Sequence, residues 1–495
     1  MLLIKRALIF LHRYLGIALA VFFLLWFLSG FVIIYTGGMP RLTEAERLEH
    51  LPDLNLSLFE VGIREAQVTA ASNELPRLTT IMQRPAYVFS SSNIVFADTG
   101  EKFDSSMVSS RQIVADYLKV SDTQIERIGE IDEPDQWTLQ LRQRLPLQKY
   151  VINDGLGSEV YVSNESATVV QHTTSRDRLL AWVGAIPHWL YFHPLRVNSN
   201  LWSESVIWLS ALGTVLSLFG IFLLFIQFRW QRLPDVRNAV PHRGLMRWHY
   251  ISGIFFGLVT TTWVFSGMLS MGPFSWAQIE AVDIDSESYF EGNGPDFDTS
   301  LFDSLEARSQ IELVLANQVV KELRPRHLLG RSWLEITVSD TKSLWQHKIV
   351  RLDLENLPST HQDFEKARVV EQLTLATSLE AAEVKVLRAY DSYYYDRASK
   401  DGPTRPLPVL RLQYDDPART ALYIDLQTAE PVYRSHRLNR TIRWLYNGFH
   451  SLDFGAFYRA RPLWDVVVIL LLLGGTLVSL LGAILGYRHI RRSFQ

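Results

Sequence analysis

The chain alternates between long apolar runs and longer stretches in which polar and apolar residues are mixed. The runs cover Ala7 to Tyr35, Leu201 to Phe228, Tyr250 to Met271 and Leu463 to Tyr487. Each run reaches the ~20 residues with which an α-helix crosses a bilayer, so the pattern predicts four transmembrane helices. The predicted segments are helices at 1–35, 201–228, 248–272 and 463–487, short polar segments at 229–247 and 488–495, and long loops at 36–200 and 273–462.

The basic residues of the short polar segments predict the orientation of the chain. Together with the N-terminal end of the first helix, these segments hold 11 of the 49 lysines and arginines and only one acid, Asp235. Lysine and arginine concentrate on the cytoplasmic side of membrane proteins, so we expect both termini inside and both long loops outside. The basic residues are Lys5, Arg6, Arg13, Arg229, Arg232, Arg237, Arg243, Arg247, Arg488, Arg491 and Arg492.

The first apolar run follows basic residues, as the apolar region of a signal peptide does. It is too long for such a region, and Thr36-Gly37-Gly38-Met39-Pro40 lacks the small-x-small cleavage pattern, so we interpret it as a retained anchor. The chain has no cysteine, which excludes disulfides, iron–sulfur clusters and thiol chemistry. A bacterial inner membrane with the long loops in the periplasm fits these features.

The two long loops mix short alternating strands with helical stretches, which predicts α+β modules. Val160–Ser163 and Thr168–Val170, separated by turn residues near Asn164, predict one β-hairpin. Ala421–Asp425 and Pro431–Tyr433 predict a second hairpin. The predicted fold class is therefore membrane α+β, with a bundle of four transmembrane helices and two external domains.

An internal duplication relates the two halves of the chain. At an offset of 237 the first and third apolar runs match at His12 and His249, Gly16 and Gly253, Trp26 and Trp263, Ser29 and Ser266, and Gly30 and Gly267. At an offset of 262 the later positions match at Tyr161 and Tyr423, Trp182 and Trp444, His188 and His450, Trp202 and Trp464, and Gly220 and Gly482. These matches predict two helix–domain–helix repeats, with roughly 25 residues inserted in the second long loop.

Each repeat carries one histidine near each membrane face. His12 and His249 lie at the cytoplasmic ends of the first and third predicted helices, and His188 and His450 lie in external aromatic segments before the second and fourth. Ionisable side chains at a bilayer are costly and mark functional sites. If a pseudo-two-fold axis along the membrane normal relates the repeats, His12 meets His249 and His188 meets His450.

Two histidines on facing helices can hold one six-coordinate haem iron. Gly16 lies one helical turn from His12, and Gly253 one turn from His249, which leaves room for a flat group. We therefore predict two haem sites per chain. The predicted axial ligands are His12, His249, His188 and His450. The alternative is that the histidines lie at the interface or bond between helices, and that the glycines only permit close packing.

Two further histidines near the membrane are weaker candidates for iron ligation. His193 and His489 have no histidine at the matching repeat position, where Gly455 and Gln227 stand. His489 is the main rival at the cytoplasmic site.

Three motifs resemble the PepSY-associated transmembrane helix family, which includes iron-regulated membrane proteins and ferric-siderophore reductases. They are His12-Arg-Tyr-Leu-Gly16, Tyr423-Ile-Asp-Leu-Gln-Thr-Ala429 and Arg443-Trp-Leu-Tyr-Asn-Gly-Phe-His450-Ser-Leu-Asp-Phe454. The resemblance spans nearly the whole chain, and the last motif is the most specific. It implies PepSY-like modules in the periplasm and, as in the reductase members, b-type haem that carries electrons to ferric iron in a siderophore.

Two functions of different classes follow from these observations. The first is a haem-containing electron-transfer protein that acts as a ferric-iron or ferric-siderophore reductase, with quinol or a cytoplasmic reductase as its electron donor. The alternative is a non-enzymatic envelope protein whose PepSY-like domains bind or regulate a periplasmic peptide, protease or other partner. A transporter is disfavoured because no acidic residue lies mid-membrane. No P-loop or dinucleotide fingerprint is present, and we expect no nucleic-acid partner.

Overall fold

A computed structural model describes the chain at residues 2–232, 236–273, 281–285, 289, 297–315, 318–329, 331–339, 347–355, 357, 360–361, 364–396 and 405–495. Four of its helices are long and apolar enough to cross a membrane. The first to fourth long helices are Leu2–Thr36, Ser199–Gln227, Gly244–Leu269 and Leu463–Ser493. Their ends differ from the predicted ends by six residues or fewer. Residues 233–235 of the predicted basic loop, and parts of the second long loop, lie outside the described residues.

The four long helices pack into one bundle. The first packs against the second and fourth, and so does the third, which places the first and third diagonally. Phe23 and Phe27 of the first helix and Trp263 of the third contribute to its apolar core. The outer surface is also apolar, as shown by Phe255 and Leu258, which are 70% and 67% exposed. Large exposed apolar side chains on such a surface fit a lipid environment, which confirms the membrane class at this level.

Glycines allow the helices of the bundle to approach one another closely. A Cβ atom added at Gly475 would lie 2.1 Å from the Phe27 ring, and one added at Gly474 would lie 2.2 Å from the Phe256 ring. No larger residue fits at either position without a shift of its neighbours. Small residues at such contacts are common in membrane helices, where close packing stabilises the bundle.

Two segments made of short helices, 176–198 and 437–462, belong to the same compact unit as the long helices. That unit contains residues 2–39, 176–273 and 437–495. Its short helices are Ser175–Val183, Ala185–Trp189, His193–Arg196, Val236–Ala239, Arg437–Ile442, Phe449–Ser451 and Ala456–Arg459, with a π-helix at Arg443–Gly448. The segments 176–198 and 437–462, which the sequence analysis assigned to the long loops, are thus grouped with the long helices. They carry His188 and His450.

Residues 40–175 and 281–436 form a second compact unit of α+β structure. Its strands are β1 Arg77–Ile81, β2 Arg84–Val88, β3 Ile94–Phe96, β4 Ile125–Ile131, β5 Leu147–Ile152, β6 Ser158–Ser163, β7 Thr168–Thr173, β8 Val320–Leu328, β9 Arg331–Ser339, β10 His347–Asp353, β11 Thr360–His361, β12 Glu383–Leu387, β13 Val409–Gln413, β14 Ala421–Asp425 and β15 Pro431–Ser435. Its α-helices are Glu44–His50, Ile63–Ala70, Ser110–Leu118, Ser300–Asp303, Leu305–Val314 and Lys366–Thr377.

The strands of this α+β unit form three antiparallel sheets. Two of them have four strands, in the orders β4-β5-β6-β7 and β12-β13-β14-β15, and they include the two predicted hairpins, which are confirmed. The third has seven strands in the order β11-β10-β9-β8-β1-β2-β3. Leu78 of β1 pairs with Leu323 of β8, so the first and second long loops share this sheet.

Candidate functional site

His12 and His249 face each other across the bundle and are called the first histidine pair. Their ring centres lie 6.3 Å apart, with the ring planes inclined by 39°. The Nδ1 atom of His12 lies 3.1 Å from the carbonyl oxygen of Leu216 on the second long helix. The Nδ1 atom of His249 lies 3.2 Å from the carbonyl oxygen of Val478 on the fourth. Each long helix therefore contributes one residue to this pair and its hydrogen bonds.

His188 and His450 form a second histidine pair with similar spacing. Their ring centres are 6.1 Å apart, and their planes are inclined by 71°. The Nδ1 atom of His188 lies 3.1 Å from the carbonyl oxygen of Trp26 on the first long helix. The Nδ1 atom of His450 lies 3.0 Å from that of Trp263 on the third. The short helical segments thus bring these histidines against the two helices that carry the first pair.

The hydrogen bonds fix the tautomer of all four imidazole rings. A backbone carbonyl oxygen can only accept a hydrogen bond, so each Nδ1 atom must carry a proton and donate it. In a neutral imidazole the lone pair then resides on Nε2, which is the state that binds a metal ion. The four histidines are partly buried. Both pairs therefore present ligand-competent nitrogen atoms.

Two serines also contact the second histidine pair. The hydroxyl oxygens of Ser29 and Ser266 each lie 3.1 Å from a histidine Nδ1 atom, that of His188 and that of His450 respectively. Each hydroxyl also lies close to a carbonyl oxygen of its own helix, to which it donates, so its oxygen accepts from the histidine. These serines therefore help to orient the rings.

Three glycines border the histidine rings. Neither Gly16 nor Gly253, the glycines expected from helical spacing, is among them. A Cβ atom added at Gly220 would lie 2.9 Å from Cε1 of His12, and one at Gly482 would lie 3.3 Å from Cε1 of His249. At Gly267 the distance to Cε1 of His450 would be 3.4 Å. Gly220 and Gly482 thus lie on the helix that neighbours the one carrying the histidine, across the helix–helix contact.

The glycines that lie one turn from the first pair contact leucines. Positions Gly16 and Gly253 face Leu216 and Leu224, at 3.8 Å and 3.6 Å from an added Cβ atom. These are ordinary van der Waals distances. In this structure both glycines therefore adjoin leucine side chains, and the expectation that they leave room for a flat group stays a prediction.

The two weaker candidates, His489 and His193, belong to the same compact unit as the histidine pairs. His489 packs its ring against Tyr14, with the ring centres 6.0 Å apart. His193 begins the short helix His193–Arg196. Within the described part of the chain there is no cluster of three or more histidine, aspartate or glutamate side chains that could hold a metal ion. The bundle therefore brings the four predicted histidines together as two pairs.

Two polar atoms of the third long helix are buried and have no hydrogen-bond partner among the described residues. They are Nε1 of Trp263 and Oγ1 of Thr260, in residues that are 8% and 5% exposed. An unpaired donor in an apolar interior costs about 1–3 kcal/mol. Both residues follow His249 and precede Ser266, which lie about 25 Å apart along the helix at 1.5 Å per residue. The unpaired atoms therefore lie along the helix between the levels of the two histidine pairs.

A buried ion pair supports the segment that carries His450. A guanidinium nitrogen of Arg443 donates to the carbonyl oxygen of Asp453 at 2.8 Å, and another lies 3.4 Å from its carboxylate. The Arg443 side chain is 7% exposed and that of Asp453 is 1% exposed. Arg443 and Asp453 lie on either side of His450 in the sequence, so their ion pair links the two ends of this short turn.

Sequence reasoning named the four histidines but not the groups that hold them. Leu216 and Val478 act through their carbonyl oxygens, which leave no signature in the side-chain sequence. Gly220 and Gly482, and likewise Ser29 and Ser266, were noted only as matched positions of the duplication. Because each matched pair lies near one of the histidines, the duplication itself was the signal that could have identified them.

Comparison with models of known protein families gives no match to this chain, and comparison with curated proteins gives none either.

Proposed function

We propose that this protein is a haem b-containing electron-transfer protein of the bacterial inner membrane. His12 and His249 would hold one haem iron, and His188 and His450 a second. The observation that carries the proposal is the spacing of the two histidine pairs, 6.3 Å and 6.1 Å between ring centres.

The spacing fits a metal ion between each pair of rings. Bonds from imidazole nitrogen to a transition metal are about 2.0–2.1 Å long, so two rings that share one ion stand about 6 Å apart, centre to centre. Imidazole rings that pack directly face to face could approach more closely. The tautomer supports the same interpretation, because an Nδ1–H that donates to a carbonyl leaves Nε2 for the metal.

The surroundings of the rings also fit a bulky apolar cofactor. Gly220 and Gly482 keep side chains away from the rings of His12 and His249. Among the described residues the buried Nε1 atom of Trp263 has no hydrogen-bond partner, so an acceptor group of a bound cofactor could satisfy it. A haem bound at these histidines would supply a one-electron couple in a low-dielectric environment.

The duplication gives independent support for two equivalent sites. The acceptors Leu216 and Val478 are separated by 262 residues, and the acceptors Trp26 and Trp263 by 237. These are the offsets found in the sequence. An equivalent hydrogen bond in each half is expected if one helix–domain–helix unit has been duplicated with its ligand site, and this is part of the proposal.

The protein would position the two haems, with one histidine pair near each face of the membrane. His249 and the Ser266 contact of His450 are separated by 17 helical residues, about 25 Å, on the third long helix. We place the first pair near the cytoplasm, because the basic segments adjoin that end, and the second pair near the periplasm. Electrons would enter from quinol or a cytoplasmic reductase and leave to ferric iron, for which a ferric siderophore is the proposed carrier.

An absorption spectrum of the purified protein, before and after dithionite, tests the proposal. Full-length protein from haem-replete cells should show reduced b-type bands at about two haems per chain. H12A and H450A should each lose about one haem, whereas H489A and H193A should lose none. A colourless wild-type protein, or equal haem content in all four variants, would overturn the proposal.

A further inference from the structure

The α+β unit contains a large open cavity whose wall is rich in arginine. Its volume is about 2030 Å³, and both long loops contribute to its lining. Typical small-molecule pockets measure about 300–1,000 Å³, so this cavity can take a sizeable organic ligand. The lining residues that the structure describes include six arginines and four acids.

Three of these arginines surround one buried carboxylate. Glu322 of β8 is 1% exposed and lies outside bulk water. Its carboxylate is 2.8 Å from a guanidinium nitrogen of Arg47, 3.3 Å from one of Arg77 and 3.5 Å from one of Arg324. Arg47 also forms an ion pair with Glu44 at 2.7 Å. The cluster therefore has three guanidinium groups and two carboxylates.

Arg77 and Arg324 use little of their hydrogen-bonding capacity within this cluster. Arg47 binds the Glu322 carboxylate through two nitrogens, at 2.8 Å and 2.9 Å, and so occupies both of its oxygens. A guanidinium has five N–H donors. In the described part of the chain Arg77 and Arg324 have no ion-pair partner other than Glu322, at the longer distances given above. Most of their donors therefore remain for another acceptor.

Burial and neighbouring charges both act on Arg77. Its pKa is lowered, first by burial and then by the guanidinium groups of Arg47 and Arg324, against the opposing effects of Glu322 and Glu44. An anion bound beside Arg77 would reverse this effect. Planar guanidinium groups bind carboxylate and phosphate through pairs of parallel hydrogen bonds, so either anion matches this chemistry.

The same cavity offers further unpaired polar atoms and an apolar wall. Both ring nitrogens of His327 and the Nε atom of Arg326 are buried without a hydrogen-bond partner among the described residues. Phe89 and Ile94 contribute apolar surface to the lining. A ligand that satisfies these groups carries more than one anionic or acceptor group on an organic body.

We infer that this cavity binds an organic polyanion, a compound with several carboxylate or phosphate groups, through Arg77 and Arg324. The inference is independent of the histidine pairs, because it concerns only the α+β unit. It assigns a binding role to that unit. The competing explanation is that the arginines only hold β1 and β8 together.

Isothermal titration calorimetry on the full-length, detergent-solubilised protein tests this inference, with citrate as the carboxylate probe and pyrophosphate as the phosphate probe. At low ionic strength at least one probe should bind, and the cation spermidine should not. R77Q and R324Q should weaken that binding at least about tenfold, since each removes a charge-assisted contact. R419Q, which alters an exposed arginine paired with Asp415, should leave it unchanged.

A variant of the acid separates binding from a purely structural role. E322Q removes the internal anion that competes for the arginines, so it should bind the probe more tightly than wild type and show a larger rise in Tm on its addition. Binding of citrate alone identifies a carboxylate ligand, and binding of pyrophosphate alone a phosphate ligand. Failure of both probes to bind, or unchanged affinity in R77Q, R324Q and E322Q, would overturn the inference.

Discussion

The imidazole rings of His12 and His249 lie 6.3 Å apart, although the residues are 237 positions apart in the chain and come from diagonal helices. His12 donates its Nδ1–H to a carbonyl oxygen of the second long helix, and His249 donates its Nδ1–H to one of the fourth. The remaining Nε2 atoms are both acceptors, so they cannot hydrogen-bond to each other. The iron ion of the proposed haem would be a shared partner for both nitrogen atoms.

Gly220 provides a test of the space beside His12. The variant G220A places a Cβ atom 2.9 Å from Cε1 of His12, so the ring must move away from its position. We expect on the order of tenfold weaker haem binding at the first pair, with the second pair unaffected, because the ligand orientation is lost. To check this, the purified variant is diluted into apomyoglobin, and the haem that the variant retains is measured from the reduced spectrum.

Gly16 supplies the matched control for this change. In G16A the new Cβ atom lies 3.8 Å from Leu216, an ordinary contact, so haem binding should be close to that of wild type. G482A, with a distance of 3.3 Å to His249, should fall between the two. If G16A and G220A behave alike, the spacing around His12 has no bearing on the cofactor.

Ser266 should influence the reduction potential of the haem proposed at the second pair, but not the amount of haem that is bound there. In S266A the Nδ1–H of His450 loses the hydroxyl acceptor but keeps the carbonyl oxygen of Trp263 at 3.0 Å. The imidazole would then donate less electron density to the iron of the proposed haem, so the reduction potential should rise by on the order of 20–60 mV, the equivalent of one hydrogen bond. A spectroelectrochemical titration measures this shift.

Ser479 is a suitable control for that experiment. It is also buried in the bundle, but its hydroxyl donates to the carbonyl oxygen of Gly475. S479A should therefore leave both potentials unchanged. A fall in potential in S266A, or an equal shift in S479A, would contradict the assigned role of Ser266.

The sequence predicted the elements that have a local signal. Apolar runs of membrane length, the hairpin at Ser158–Thr173 and the identity of the paired histidines all follow from periodicity or from the duplication. The pairing of Leu78 with Leu323 could not be predicted in this way, because strands that are 245 residues apart share no local pattern. The carbonyl acceptors are hidden for a similar reason, since every residue has a carbonyl group and only the packing of the helices selects Leu216 and Val478.

The α+β unit should lose stability in acid partly through Asp135. Burial alone would raise the pKa of this carboxyl group, but hydrogen bonds from Tyr161 and Lys149 outweigh it and hold the pKa below its usual value. Since the folded state keeps the carboxylate ionised, its contribution to stability is present above about pH 4 and is lost as the pH falls through the lowered pKa. D135N should lack this contribution.

Thermal unfolding at pH 5, 4 and 3 tests the role of Asp135. We expect Tm of D135N to lie below that of wild type at pH 5 and the difference to shrink towards pH 3. D132N, at an exposed neighbouring position, should follow the wild-type curve at all three values. A constant difference between D135N and wild type would show that the effect is not electrostatic.

The ion pair between Arg443 and Asp453 should stabilise the second histidine pair selectively. D453L leaves the Arg443 guanidinium buried without its carboxylate, a change that typically costs about 3–5 kcal/mol. Because the pair closes the turn that carries His450, we expect the haem at the second pair to be lost and the haem at the first pair to remain. The double variant R443M/D453L removes the unpaired charge and should recover part of the stability.

As a control, D465N breaks a more exposed pair with Arg461, for which a cost of about 0–1 kcal/mol is usual. Haem content and Tm of the four proteins check the expectation, and equal loss at both histidine pairs in D453L would contradict it.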